Sequence, residues 1–117
     1  MKISDIQQIL EAKLLTPGLD MECEVLNAFG SDMMSDVLAF VKNQAVLLTG
    51  LTNPQVVRTA IMMDMSCIVF VRGKQPDDTV QEMAQEAGIV VLLTKYTMFT
   101  ASGRLYENGL RDGMNER

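Results

Sequence analysis

The chain contains no histidine and no tryptophan, and its only cysteines are Cys23 and Cys67. Without histidine there can be no Ser/His or Cys/His nucleophile pair and no imidazole metal ligand, so acid–base chemistry would fall to carboxylates, lysine and tyrosine. The two cysteines lie in or beside apolar runs and read as buried, reduced thiols packing as small hydrophobes. A disulfide or a reactive thiol is the alternative. Basic residues are few and scattered, 10 against 15 acidic for a net charge of −5, which argues against a surface that tracks nucleic-acid phosphates. No apolar run approaches the roughly 20 residues of a membrane span, and Met1-Lys2 leads into a polar helical pattern rather than a signal peptide. A cytoplasmic protein without membrane or nucleic-acid partners is expected. The glycine-rich phosphate loops GxGxxG and Gly-Lys-Ser/Thr are missing as well, and no cofactor or metal is implied.

What is present is ordinary globular composition, 48% apolar and 21% charged over 117 residues, enough to bury one core without staples. A single domain over residues 1–110 is expected, with 111–117 as a frayed polar tail. The organising stretch is 44–71. It reads apolar run (Ala45-Val46-Leu47-Leu48-Thr49), turn (Gly50-Leu51-Thr52-Asn53-Pro54), helix-length segment, and a second apolar run (Cys67-Ile68-Val69-Phe70-Val71). Two unbroken β-type runs around a helix are the pattern of a βαβ unit whose strands are buried on both faces. Asn53 as N-cap and Pro54 as first helical residue mark the helix start twice.

The flanking segments extend that pattern. Ile3, Ile6, Ile9 and Leu10 predict a helix over 3–13, with Ser4 and Gln7 as a capping box. Leu14-Leu15 reads as a short strand and 16–20 as a turn. Alternation of Met21, Cys23 and Val25 with Glu22 and Glu24 predicts a half-exposed strand over 21–29. A helix follows to Lys42, capped by Ser31 and burying Met34, Val37, Leu38 and Val41, with Met33 and Phe40 at its margin. After a loop over 72–76 comes a helix from Asp77 to Ala87, with Gly88 as its left-handed C-cap. Ile89-Val90-Val91-Leu92-Leu93 is a third buried strand. Thr97 caps a last helix to Asn108, and Gly109 and Leu110 form a Schellman ending in which Leu110 returns to Leu105. Gly103 within that helix suggests close packing. The fold class is α/β: a small, mostly parallel sheet with crossover helices on both faces, a three-layer sandwich.

Ligands in such sheets bind beyond the carboxyl ends of the strands. Three loops qualify, and they offer Thr49, Gly50, Thr52, Asn53, Arg72, Lys74, Thr94 and Lys95 as an anion site near a helix N-terminus. The competing reading is that Thr52 and Asn53 only cap the helix while the cations are solvated. Asp32 and Asp36, spaced i and i+4, would share a helix face and could serve a hard cation, or be a solvated helix start. Ten methionines, several in Ile61-Met62-Met63-Asp64-Met65, make the central helix apolar around much of its circumference. It is then either fully buried or covered by a second copy in a homodimer.

Gly30-Ser31-Asp32-Met33-Met34-Ser35-Asp36-Val37-Leu38-Ala39 resembles the "G-SD-L-SDV-A" segment of small stand-alone DRTGG-domain proteins. The stretch 48–57 is similar to their "HPNIV" segment, with Asn53-Pro54 matching, and 68–76 and 101–110 also resemble that family. The resemblance implies a fold similar to the N-terminal domain of HPr kinase/phosphorylase. It also implies a regulatory or dimerising role of the kind such domains take when fused to CBS-containing pyrophosphatases or phosphotransacetylase-like proteins. The eponymous Asp-Arg-Thr-Gly-Gly string is absent, and Thr52-Asn53-Pro54-Gln55 stands at the corresponding turn. The expectation is a non-catalytic, ligand-sensing and dimerising domain that takes a small anionic or nucleotide-like ligand. The alternatives are an adaptor docking a protein partner around Met33, Asp32 and Asp36, or a small metal-assisted enzyme using the two aspartates.

Overall fold

The three apolar runs of the sequence become three adjacent strands at the centre of one sheet. In the computed structural model, which describes residues 1–113, the order is α1 (Ile3–Ile9), β1 (Lys13–Leu14), β2 (Asn27–Gly30), α2 (Met34–Phe40), β3 (Ala45–Thr49), α3 (Pro54–Met62), β4 (Cys67–Phe70), α4 (Asp78–Ala87), β5 (Val90–Leu93) and α5 (Met98–Glu107). The sheet order is β1-β5-β4-β3-β2, parallel except for β1, which runs antiparallel to β5.

Because β2 to β5 advance across the sheet in one direction, right-handed crossovers place all three connecting helices on the same face. There α2, α3 and α4 cover Leu47, Ile68, Phe70 and Val91. The opposite face, with Val46, Leu48, Val69 and Leu92, is covered by α1 and α5. The three layers are those the sequence predicts, but the crossovers fill only one outer layer. The other comes from the helices that enter and leave the sheet.

Helix ends follow local chemistry. Asn53 Oδ1 accepts from Gln55 N at 2.9 Å ahead of Pro54, and Asp77 Oδ1 accepts from Val80 N at 3.1 Å. Gly88 ends α4 at φ +75°, a conformation that costs glycine little. At the end of α5, Leu110 N donates to Leu105 O and Gly109 N to Tyr106 O, both at 3.0 Å. That is the expected Schellman pair, with Leu105 and Leu110 in one apolar cluster.

Several expectations are corrected. The first helix stops at Ile9, because Glu11 takes φ +49° and turns the chain so that Lys13 and Leu14 pair with β5. Its box is closed by Asp5, which accepts from Lys2 N at 3.1 Å, and not by Ser4 with Gln7. Residues 21–26 alternate in burial as predicted, yet their backbone bonds run to the chain start: Ile3 N to Cys23 O, Ser4 N to Met21 O, Val25 N to Met1 O. The sheet strand begins only at Asn27. Before α2, Ser31 Oγ accepts from Met33 N at 2.9 Å in a turn, so Ser31 is not the N-cap. With only seven residues α2 buries Met34 and Val37, leaves Leu38 exposed, and ends before Val41. A Cβ at Gly103 would meet nothing within 4 Å, so no close packing explains that glycine. Beyond α5, Arg111 O accepts from Ala28 N at 2.8 Å and its guanidinium lies 3.6 Å from the Tyr106 ring centroid. Residues 114–117 of the expected tail lie outside the described residues.

Both cysteines are free. Cys67 is fully buried, and burial pushes its thiol well above the ordinary range, which leaves it inert.

Leu105 is fully buried where α5 meets the sheet and α1. Leu105→Ala is expected to destabilise the protein by about 2–5 kcal/mol, read as a lower urea midpoint with an unchanged slope. A loss below about 1 kcal/mol would mean that α5 is not part of the core.

Candidate functional site

The carboxyl ends of β3, β4 and β5 and the start of antiparallel β1 form one crest of the sheet. Thr49, fully buried, donates from Oγ1 to Asp32 Oδ1 at 3.1 Å and accepts from Leu51 N at 3.1 Å. The same Asp32 oxygen accepts from Gly50 N at 2.7 Å. Asp32 therefore straps the chain ahead of α2 onto the end of β3. It lies outside α2, and the predicted pairing of Asp32 with Asp36 on one helix face does not form. Among the described residues no group of three carboxylates or thiols is placed to hold a metal ion.

A Cβ at Gly50 would meet the Arg72 guanidinium, with Cζ at 3.2 Å, so a larger residue there would have to displace the arginine side chain. Arg72 thus drapes over the β3 turn. Its backbone is left-handed at φ +61°, as is Gly73 at +66°. In that conformation Arg72 N donates to Tyr96 O at 2.7 Å and Gly73 N to Thr94 O at 2.8 Å. One residue pair from the β4 loop is therefore bonded to the β5 loop while its side chain reaches the β3 loop.

The eight residues singled out in the sequence divide into two groups. Thr49, Gly50, Thr52 and Asn53 form the β3–α3 turn, with Arg72 above it. Most of the amides there are already used: Gly50 N by Asp32, Leu51 N by Thr49, Gln55 N by Asn53, and Pro54 has none. Thr94 and Lys95, with Gly73, border a separate cavity of about 410 Å³ on the β5 side. Lys74 lies in the exposed loop between them.

Three lining residues, Glu11, Lys13 and Tyr96, were not among the eight, although Tyr96 lies in the loop after the third apolar run. Lys13 reaches the cavity because β1 pairs with β5, Lys13 opposite Leu93. Tyr96 donates its hydroxyl to Glu11 Oε2, a contact between residues 85 apart in the chain. The Arg104 guanidinium lies 4.8 Å from the Tyr96 ring centroid, and Arg104 Nε donates to Ile9 O at 3.0 Å. The Glu11 carboxylate, as acceptor of that hydroxyl, holds the Tyr96 ionisation above the usual phenol range.

The family model described as the DRTGG domain matches residues 5–107, nearly the whole chain. The chain belongs to the DRTGG domain family. Among solved structures, the DRTGG domain described here is similar to the CBS and DRTGG domains of the regulatory region of Clostridium perfringens pyrophosphatase, a structure complexed with its activator, diadenosine tetraphosphate. The TM-score is 0.74 at 20% sequence identity, over 89% of this chain and 45% of the other. This DRTGG domain thus spans less than half the length of that chain. No curated protein sequence matches it.

Removing the Asp32 carboxylate leaves Gly50 N and the buried Thr49 hydroxyl without their acceptor. Asp32→Ala is expected to cost about 1–3 kcal/mol, measured by urea unfolding, whereas Asp36→Ala should be nearly neutral. Equal effects of the two substitutions would contradict the strap.

Proposed function

We propose that this DRTGG domain is a non-catalytic, cytoplasmic regulatory module that senses a small anionic or nucleotide-like ligand at the carboxyl ends of β3, β4 and β5 and acts as a homodimer. One α/β unit over residues 1–110 carries both properties. The observation behind the reading is the junction at Arg72. Its amide is bonded to the β5 loop and its guanidinium lies on the β3 turn, so a ligand at the crest touches elements that reach every layer of the fold. Arg72, Lys74 and Lys95 supply cations there, and all three are exposed. The regulatory setting of the pyrophosphatase neighbour, with its nucleotide activator, supports the same reading. Thr49, Gly50, Thr52, Asn53, Arg72, Lys74, Thr94 and Lys95 remain the residues proposed for the ligand.

The homodimer reading rests on apolar side chains that the fold leaves in water. Met62 is 72% exposed and Ile61 51% at the end of α3, and Met33, Leu38 and Phe40 are exposed on or beside the neighbouring α2. Exposed apolar side chains on two helices that touch each other are the kind of surface from which interaction sites are built. The adaptor reading draws on the same observation, with a different protein in place of the second copy.

A thermal-shift screen against nucleotides and phosphorylated metabolites tests the ligand. At 100 times its Kd a ligand adds about 2.7 kcal/mol, roughly 10 °C for a domain of this size. The shift should vanish when Arg72, Lys74 and Lys95 are all changed to glutamine, and a flat response across the panel would refute ligand sensing. For the dimer, sedimentation equilibrium should give twice the monomer mass for wild type and the monomer mass for Met62→Lys, with little change in the monomer's own stability. A wild type that stays monomeric at high concentration would assign the apolar face to another protein.

A further inference from the structure

The connections after β4 and β5 leave the sheet in opposite directions. From β4 the chain passes to α4 on one face, and from β5 to α5 on the other. After β3 and β4, by contrast, both connections turn to the same side. In open α/β sheets a crevice opens at the carboxyl ends where neighbouring connections part, and in this sheet that place lies between β4 and β5. The 410 Å³ cavity lies beside that place, bordered by the end of α1, the start of β1 and the loop after β5, with Gly73 from the loop after β4; its size is within the range of roughly 300–1,000 Å³ usual for small-molecule sites.

Its lining is chemically divided. Leu93, half-buried, gives the lining an apolar part, and Leu10 contributes from the fully buried end of α1. Tyr96 forms a wall that is fixed before any ligand arrives, since its hydroxyl is held by Glu11 and Arg104 lies against the ring. Thr94 Oγ1 donates to Leu10 O at 2.8 Å, joining the β5 side of the cavity to the α1 side. Lys13 comes from the first position of β1, opposite Leu93, and Lys95 from two residues beyond Leu93. Neither lysine forms an ion pair among the described residues. Against these two charges stands one carboxylate in the lining, Glu11, and it is occupied by the Tyr96 hydroxyl.

Two unpaired ammonium groups on a pocket with a rigid aromatic wall suit a phosphate carried on a flat ring. We infer that this cavity, rather than the β3–α3 turn, seats a nucleoside monophosphate or the equivalent part of a larger nucleotide. Its base lies against Tyr96, and its phosphate lies between Lys13 and Lys95. This inference rests on the ligand-sensing reading and narrows it. The turn at Gly50 has spent most of its amides on its own side chains.

Calorimetric titration of the full chain with AMP, GMP, CMP and UMP, each in turn, tests the assignment. At least one should bind, and amide chemical shifts should move at Leu93, Lys95, Tyr96 and Lys13. Lys13→Gln with Lys95→Gln should weaken that binding by roughly tenfold or more, as expected for loss of charge-assisted bonds. Tyr96→Leu should weaken it too, and Arg58→Gln, exposed on α3, should leave it unchanged; Arg72→Gln with Lys74→Gln is the variant that tests the β3–α3 turn instead. Because Lys13 and Lys95 are exposed, their variants are expected to keep the wild-type melting temperature, which separates loss of binding from loss of fold. Binding that survives the Lys13/Lys95 change but fails in the Arg72/Lys74 variant would overturn the cavity assignment while leaving ligand sensing intact. No binding of any of the four nucleotides would overturn the inference outright. Ligand sensing itself would fail only if the wider metabolite screen were also flat.

Discussion

Strands β3, β4 and β5 are buried on both faces, and that one constraint shapes the rest of the molecule. Every residue of β3 and β4 is inaccessible to water, so each face of the sheet needs a complete layer of helix. Crossovers can supply only one such layer here, because β2 to β5 follow one another without a reversal. The second layer has to come from α1 and α5, neither of which connects parallel strands. They are held by specific ties instead. Thr94 bonds the end of β5 to Leu10, Arg104 bonds α5 to Ile9, and the Schellman ending of α5 brings Leu110 back into the core. Without those ties, the apolar residues that β3, β4 and β5 turn toward α1 and α5 would face water.

The crest of the sheet is a consequence of the same arrangement. Bringing the end of α1 and the start of β1 against the end of β5 requires Glu11 to take a left-handed conformation, which is uncommon for a non-glycine residue. The turn sets Glu11 beside Tyr96 and Lys13 beside Leu93. At the other end of the crest, Asp32 satisfies Gly50 and Thr49, and the Arg72 guanidinium lies above Gly50. The crest therefore has a self-contained half around Gly50 and an open half around Tyr96. Charge is distributed accordingly, with a carboxylate committed to backbone at the first and two unpaired lysines at the second.

Much of the architecture was legible in the sequence because the signals were local. Unbroken apolar runs gave β3, β4 and β5. Asn53, Asp77 and Thr97 announced their helix starts, and Gly88 and Gly109 two of the ends. Where the sequence reading went astray, a long-range contact had overruled a local pattern. Of the strand predicted over 21–29, residues 27–29 do join β3; the alternation over 21–25 is real as burial, but the backbone there bonds to Met1, Ile3 and Ser4 rather than to a neighbouring strand. The i, i+4 spacing of Asp32 and Asp36 promised a shared helix face, yet Asp32 is drawn off by Gly50 and Thr49 from another element. Leu38 fits the apolar stripe of a longer helix than the one that forms. At the crest, Thr94 and Lys95 were identifiable from strand ends alone. Lys13 and Glu11 were not, since they meet the end of β5 only through an antiparallel pairing across about 80 residues of chain.

The titratable groups at the crest bear on what such a site can do. A catalytic acid or base works best with an ionisation near the operating pH. Tyr96 is moved in the opposite direction, because the Glu11 carboxylate accepts its hydroxyl and favours the protonated form. The raised ionisation is linked to stability: the Glu11–Tyr96 contact contributes fully below the ordinary phenol range and is lost only as pH rises through the raised value. Cys67 is shifted upward by burial and sits inside the core. Neither shift brings a group toward neutral pH. At the open half of the crest the Tyr96 hydroxyl is tied to Glu11, and Lys13 and Lys95 form no ion pair among the described residues.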